Sequence, residues 1–369
     1  VYVVPPEAGM LPLPQHRPEM TADEVAAMRR SLFVLNNYGT YQSGPAREQM
    51  YLHDGLDIML PNGTPIHAVE AGVVRTVQNA GNGLMVIVED ADAPDVGWAY
   101  IHVDTVPVKV GQKVAQGTRV GRVRFTGLEH LHLSRYARPP GGAWTNFYSL
   151  VALPPEGPFP VPDSLPPLFE GPFRYFADGT DTPLTDRAEA GEGGGAEGGT
   201  VALLSGAVDV VAGLRDPGEH HHDASGFGDR VAVARLELTV SREGRPDVVL
   251  PAVDFRRTPI GRFADKGAEA LQAQVVYRHY GELFPGQEWW RKPFSQYVVT
   301  QGALDVVARP LTAGDMASAW RTDARDAAGA PLFPDGDYTL TVRAWDWAGN
   351  AAERRETVRV RNTPRGEAP

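Results

Sequence analysis

Between Tyr38 and Leu153 no apolar stretch runs for more than a handful of residues before a glycine or proline breaks it. This punctuation constrains the fold more than any other feature, because a stable helix needs a longer, unbroken 3.6-residue pattern. Pro61-Asn62-Gly63-Thr64-Pro65 predicts a turn, and Ile66 to Val77 a strand bent at Gly72. Leu84-Met85-Val86-Ile87-Val88 predicts a buried strand and Trp98 to Val103 another. Val108 to Gly117 carries two glycine turns between short apolar pieces, and strands over Val120 to Arg124 and Leu131 to Arg135 follow. Short strands, frequent glycine turns and almost no helix imply a compact all-β domain over 38–153.

The flanks differ in character. Residues 1–37 predict a proline-rich arm followed by a short helix from Thr21 to Val34. Thr21 and Glu24 have capping-box spacing, and Val25, Met28 and Leu32 make one apolar stripe. Residues 154–199, first proline-rich and then glycine- and glutamate-rich, predict a flexible linker, since they cannot bury enough apolar surface to offset their ordering entropy. Strand patterns return over 200–362, where Leu236, Leu238 and Val240 alternate with polar residues, as Tyr338 to Val342 do. This half is expected to be a β-sandwich with an insertion, followed by a frayed tail at 363–369. Asp335 to Tyr338 and Ala344 to Asn350 resemble the final strands of bacterial immunoglobulin-like domains.

Composition excludes several function classes. There is no cysteine, so disulfides, thiolate metal sites and cysteine nucleophiles are ruled out. A net charge of −11 argues against a nucleic-acid binder and against electrostatic capture by anionic surfaces. No apolar run reaches the length that spans a membrane. The chain opens Val1-Tyr2-Val3-Val4-Pro5 without a basic-then-apolar leader, so a signal peptide was removed or was never present, and the histidine-rich segment from His53 to His132, rather than the terminus, favours an exported protein whose leader was removed.

Five of the ten histidines fall between His53 and His132. Side chains two apart in a strand share a face, so His130 and His132 lie together, and His53 and Asp57 can converge in an extended backbone, with Gly55 between them allowing close approach. Zinc takes such nitrogen and oxygen donors tetrahedrally, and a catalytic site keeps one position open, so three of His53, Asp57, His102, His130 and His132 are expected as ligands. The two histidines left over point to hydrolysis, because a neighbouring imidazole can take a proton from the activated water or hold an oxyanion.

The order and spacing of His53-x-Gly55-x-Asp57, Gly63-Thr64-Pro65-Ile66-His67-Ala68, Gly72-Val73-Val74, Tyr100-Ile101-His102, Val110 to Gly117 and His130-Leu131-His132-Leu133 resemble the lysostaphin-like (LytM-type) zinc metallopeptidases. The resemblance covers roughly residues 45–150. It implies an open β-sheet or barrel-like peptidase domain with zinc held by His53, Asp57 and His132 and flanked by His102 and His130 as the catalytic pair. It further implies endopeptidase action on the peptides of bacterial peptidoglycan, and on that reading the carboxy-terminal half is expected to position the enzyme on the wall or on a protein partner. The alternative that the resemblance carries is a non-catalytic regulator that binds a cell-wall enzyme or wall peptide in the same groove. One departure is the short turn Phe125-Thr126-Gly127-Leu128-Glu129, which alters one groove wall and brings a carboxylate near the site that is expected either to orient a histidine or to disfavour an acidic substrate group.

Other polar and aromatic groups are assigned simpler roles. His67 reads as packing, and His220-His221-His222 as a solvated loop. Asp209, Asp216, Asp337 and Asp346 lack calcium-loop spacing and read as turn and edge residues. Trp289, Trp290 and Tyr297 read as core rather than as a stacking platform.

Overall fold

The computed structural model describes residues 21, 23–24, 34–42, 47–139, 147–150, 163–189, 200–217, 231–262, 266–279, 294–300 and 320–362. The proline-rich arm, most of the predicted first helix, residues 154–162 and 190–199, His220 to His222, Trp289, Trp290 and the tail all lie outside them. At the start of that helix the capping box is formed: the Thr21 amide donates to Glu24 Oε2 at 2.8 Å, and the Glu24 amide returns a bond to Thr21 Oγ1 at 3.3 Å.

The fold is mainly β. The first sheet has eleven strands, of which eight frame the site: β1 (Val34–Asn36), β2 (Leu56–Met59), β3 (Gly72–Asn79), β4 (Leu84–Asp90), β5 (Val96–Asp104), β6 (His130–Ala137), β7 (Phe147–Leu150) and β8 (Ile260–Arg262). Their order is β1-β2-β6-β5-β4-β3, with β7 on the far end of β6 and β8 on β7, all antiparallel. Period-2 alternation divides the sheet. Leu56, Ile58, Val86, Val88, Trp98, Tyr100, Leu131 and Leu133 pack into one core, each large aliphatic side chain contributing about 1.5–3 kcal/mol. The alternate residues of β2 and β6 include Asp57, His130, His132, Ser134 and Tyr136, and they face the other way. Met85, Ile87, Ala99 and Tyr136 make a small apolar floor on that second face, with Ile101 against it.

The carboxy-terminal half packs two sheets over a shared core, the layer arrangement of a sandwich. One sheet has six strands, with Gly336–Trp345 and Ala351–Val360 at its centre, and the other is built on Ala207–Arg215. Two features differ from the sequence expectation. Within the stretch read as linker, Leu168–Phe169 and Arg174–Ala177 pair with Ala207–Arg215, and Arg187–Glu189 pairs with Thr200–Leu204. Phe173, Tyr175 and Phe176 are buried there, so this part of the stretch has the apolar surface that its prolines and glycines obscured. A helix, Lys266–Val276, also interrupts the strands, burying Ala268, Ala270, Ala273, Val275 and Val276.

The two halves share structure. Tyr38, Tyr41, Met50 and Leu52 belong to the core of the carboxy-terminal sheets, and β8 extends the first sheet from the far side of the sequence. Asn37 also binds Ala232 in both directions, its Nδ2 donating to the carbonyl at 2.8 Å and its Oδ1 accepting from the amide at 2.7 Å.

Candidate metal and catalytic site

Register assembles the site. Across neighbouring strands Asn36 stands opposite Asp57, Asp57 opposite His132, and His132 opposite Ile101. Directly opposed residues in an antiparallel sheet share a face, so one row carries all four side chains.

His53 reaches this row by a different route from the extended backbone considered above. Four extended residues would span about 13 Å, yet His53 Nε2 lies 3.1 Å from Asp57 Oδ1. The chain bends at Gly55 between Tyr51–Leu52 and β2, and His53 is held by backbone bonds to Gly39 and Thr40. Glycine is required at the bend for space. A Cβ there would stand 2.3 Å from Ser134 Oγ, 2.5 Å from Leu133 O and 2.8 Å from His132 Nε2. Gly55→Ala is therefore expected to destabilise the fold by about 1–3 kcal/mol and to displace His132, measurable as a lower urea midpoint together with weakened metal binding.

His102 arrives by a β-bulge. Ile101 pairs with Met85 and Val103 with Leu84, so one extra residue of β5, His102, falls between consecutive pairs. Its φ is +64°. Tyr100 and Val103 both lie in the core, so strict alternation would have turned His102 away from His132. The bulge turns it back, at a cost of about 1–2 kcal/mol for a left-handed residue with a Cβ.

His53 Nε2, Asp57 Oδ1 and His132 Nδ1 form a nearly equilateral triangle, with sides of 2.9, 3.0 and 3.1 Å. Carbonyl oxygens cannot donate, so they settle the tautomers around it. His53 Nδ1–H donates to Asn37 O at 2.9 Å, which leaves Nε2 as a lone pair facing the triangle. His132 Nε2 lies 2.7 Å from Ser134 Oγ and 3.4 Å from Asp54 Oδ1, so its proton sits on the outer side and Nδ1 points inward. Asn36 Nδ2 donates to the outer oxygen of Asp57 at 2.8 Å. With His132 neutral, three electron pairs converge with their outer contacts already made, and a metal ion there would take the place of the proton that His132 Nδ1 otherwise holds against Asp57.

The ionisation equilibria reflect that proton. Burial would raise the Asp57 carboxyl, but His53, His130 and His132 hold it well below the usual carboxylate range. Burial would lower His132, yet Asp54 and Asp57 lift it to about 9. A tetrahedral zinc ion would set its donors about 3.3 Å apart, so these three would need to open by only a few tenths of an ångström. Nitrogen and carboxylate donors without sulfur fit zinc.

Two imidazoles stand beside the triangle. His102 Nδ1–H donates to Asn82 O at 2.9 Å and His130 Nδ1–H to Leu128 O at 2.6 Å, so each presents an Nε2 lone pair. Their ring centres are 4.8 Å apart, and His130 Nε2 is 3.6 Å from Asp57 Oδ1. Burial and the neighbouring His130 push His102 down to about 4, so it is neutral at ordinary pH. Phe125 packs against both rings, at 4.5 and 4.4 Å. The surrounding cavity holds about 560 Å³ and includes Tyr51, Met85, Ile101, Phe125 and Leu128 in its wall.

Every site residue singled out in the sequence therefore lies in one cluster, and His67, on Pro65–His67, lies outside it. Glu129 does not orient a histidine. It accepts from the Asn62 amide and side chain, both at 2.8 Å, and so pins the short turn to the neighbouring loop. Sequence reasoning missed Asn36, Asn37, Asp54, Phe125, Ser134, Tyr136 and Arg262. Of these, Ser134 and Tyr136 could have been found by continuing the alternation from His130 and His132. Away from the site, Tyr297 is buried against Tyr277, and Asp337 pairs with Arg359. Asp346 caps a turn through the Gly349 and Asn350 amides, and Asp163, Asp216 and Asp346 bring carboxylate oxygens within 4.8 Å of one another.

Part of the chain is similar to known proteins. The family model described as Peptidase family M23 matches residues 51–140. The peptidoglycan DD-endopeptidase ShyA of Vibrio cholerae is 31% identical over 111 residues, covering 28% of this chain and 25% of that protein. Lysostaphin of Staphylococcus simulans is 31% identical over 123 residues, covering 31% and 25%. The uncharacterized lipoprotein YgeR of Escherichia coli is 34% identical over 108 residues, covering 29% and 41%. Among solved structures, the catalytic domain of Staphylococcus simulans lysostaphin aligns at 24% identity with a TM-score of 0.26, covering 32% of this chain and 87% of that one. The chain spans about a quarter of the length of ShyA and of lysostaphin. Residues 51–140 are a lysostaphin-like peptidase M23 domain.

Proposed function

We propose that this M23 peptidase domain is a zinc-dependent endopeptidase that cleaves peptide bonds in bacterial peptidoglycan, with His53, Asp57 and His132 as metal ligands and His102 and His130 as the catalytic pair. The observation that carries the reading is the triangle of donor atoms from His53, Asp57 and His132, with the imidazoles of His102 and His130 beside it. The names of relatives such as ShyA and lysostaphin support the substrate class.

Zinc held at the triangle supplies Lewis acidity, which acidifies water to a pKa of about 7. The chain's own residues supply the rest. Asn37 and Ser134 fix the ring orientations of His53 and His132, and Asn36 holds the outer oxygen of Asp57 so that Oδ1 faces inward. His102, neutral and with Nε2 free, accepts a proton from the attacking water. His102 then passes that proton to the leaving amine nitrogen as the C–N bond breaks, and His130, which takes a proton from solvent at Nε2 and returns it there, donates to the oxygen on which negative charge develops. Phe125 and the apolar floor restrict water around both rings and strengthen these interactions.

The same reading places the protein outside the cytoplasm, where its substrate lies, with the carboxy-terminal half meeting the wall or a partner. Among the described residues no helix is long and apolar enough to cross a membrane.

Purified chain is expected to hold about one zinc and to release new amino groups from defined muropeptides, with the cleaved bond read by mass analysis and the activity lost on chelation. Folded protein that binds no zinc would instead favour the regulator. Cleavage that survives complete chelation would overturn the zinc mechanism.

A further inference from the structure

We propose that the metal centre is completed from outside the peptidase domain: Arg262, on the strand that the carboxy-terminal half adds to the sheet, is a positioning residue that acts through Asp54 on His132. The inference rests on the reading of His132 as a metal ligand.

Asp54 follows His53 directly, and its side chain is almost fully buried. A buried carboxylate keeps its place only when it is paired and hydrogen-bonded. Arg262 provides the pairing as a two-pronged fork, Nε donating to Oδ2 at 2.8 Å and Nη2 to Oδ1 at 2.6 Å. A fork of this kind fixes the plane of a carboxylate as well as its charge.

Held in that plane, Asp54 meets β6 at two points. Oδ2 accepts from the Tyr136 hydroxyl at 3.0 Å, and Oδ1 lies 3.4 Å from His132 Nε2. Ser134, between Tyr136 and His132 on the same face, accepts from His132 Nε2 at 2.7 Å. Asp54, Tyr136 and Ser134 together form the outer wall that keeps the His132 proton on Nε2 and turns Nδ1 toward Asp57. Partners of this kind, one step beyond the ligands, set ring orientation and ligand basicity.

The strand that carries Arg262 is held by elements outside the family-matched segment, residues 51–140. Strand β8 pairs with β7, and the Gly261 amide donates to Gln272 Oε1 at 3.0 Å, tying the strand to the helix Lys266–Val276. The Ile260 amide donates to Tyr38 OH at 2.9 Å, and Arg262 lies over the Tyr51 ring at 5.2 Å. A cation held this firmly acts as part of the site, so the carboxy-terminal half does more than tether the peptidase domain.

The test measures zinc affinity of the full chain by chelator competition, together with the visible spectrum of the cobalt-substituted protein. Arg262→Ala and Asp54→Asn should each weaken zinc binding by about 10–100-fold, and the double variant should be no weaker than the worse single one. Arg262→Lys, a point charge without the fork, should fall between wild type and Arg262→Ala. The cobalt spectra of Arg262→Ala and Asp54→Asn should depart from wild type in the same way. Wild-type affinity in both Arg262 variants, or losses that add in the double variant, would overturn the proposal. Should Arg262→Ala not fold, Arg262→Lys and Asp54→Asn carry the test, and wild-type affinity in both overturns it. A wild-type protein that binds no zinc overturns the proposed function itself, whereas zinc-binding wild type with unaltered variants overturns this inference alone.

Discussion

His102→Asn is expected to lower kcat/KM on muropeptides by about 10²–10⁴-fold while zinc content stays at the wild-type level. The choice of asparagine follows from the bulge. At φ +64° alanine would add backbone strain to the loss of the imidazole, whereas asparagine tolerates the left-handed region. The substitution therefore removes the ring and little else. His102 Nε2 is outside the triangle of electron pairs, so occupancy of the metal site should not depend on it. A rate within threefold of wild type would take His102 out of the chemistry. Loss of zinc alongside activity would move it from proton transfer to metal binding.

Asp57→Ala is expected to reduce zinc from about one per chain to near none, with activity falling to that of chelated wild type. Asp57 is the centre of the row: Oδ1 meets His53 at 3.1 Å and His132 at 2.9 Å, while Oδ2 is held by Asn36. Without it, two imidazoles remain with no anionic donor between them, and two neutral nitrogens hold a divalent ion far less well. Metal analysis after dialysis against a weak chelator gives the answer directly. Retained zinc with retained cleavage would mean that the ligand set is drawn from other groups. The two variants thus separate binding from chemistry, since Asp57→Ala should lose both and His102→Asn only the second.

Much of the site was legible because its signals are local. His130-Leu131-His132 announces two imidazoles on one strand face, and His53-x-Gly55-x-Asp57 carries a glycine where only glycine fits against Ser134 and His132. The short-strand pattern is local too, since each glycine turn cuts a segment of strand length whatever the rest of the chain does. The helix at Lys266–Val276 and the strands over 168–189 were harder to read. Prolines and glycines interrupt the apolar residues over 168–189, and those strands owe their burial to pairing with Ala207–Arg215.

What the sequence by itself determined is the chemical inventory and its period: which strands are short, which residues alternate, and which histidines and carboxylate are available. The tertiary structure decided phase and company. Alternation alone turns His102 into the core, and only the bulge against β4 brings it to the face of His132. Spacing alone puts Asp54 on no particular partner, and only the pairing of β8 with β7 delivers Arg262 to it. The physical reason is common to both. Side-chain direction repeats locally and is written residue by residue, whereas register and strand addition are set by contacts between segments as far apart as Asp54 and Arg262.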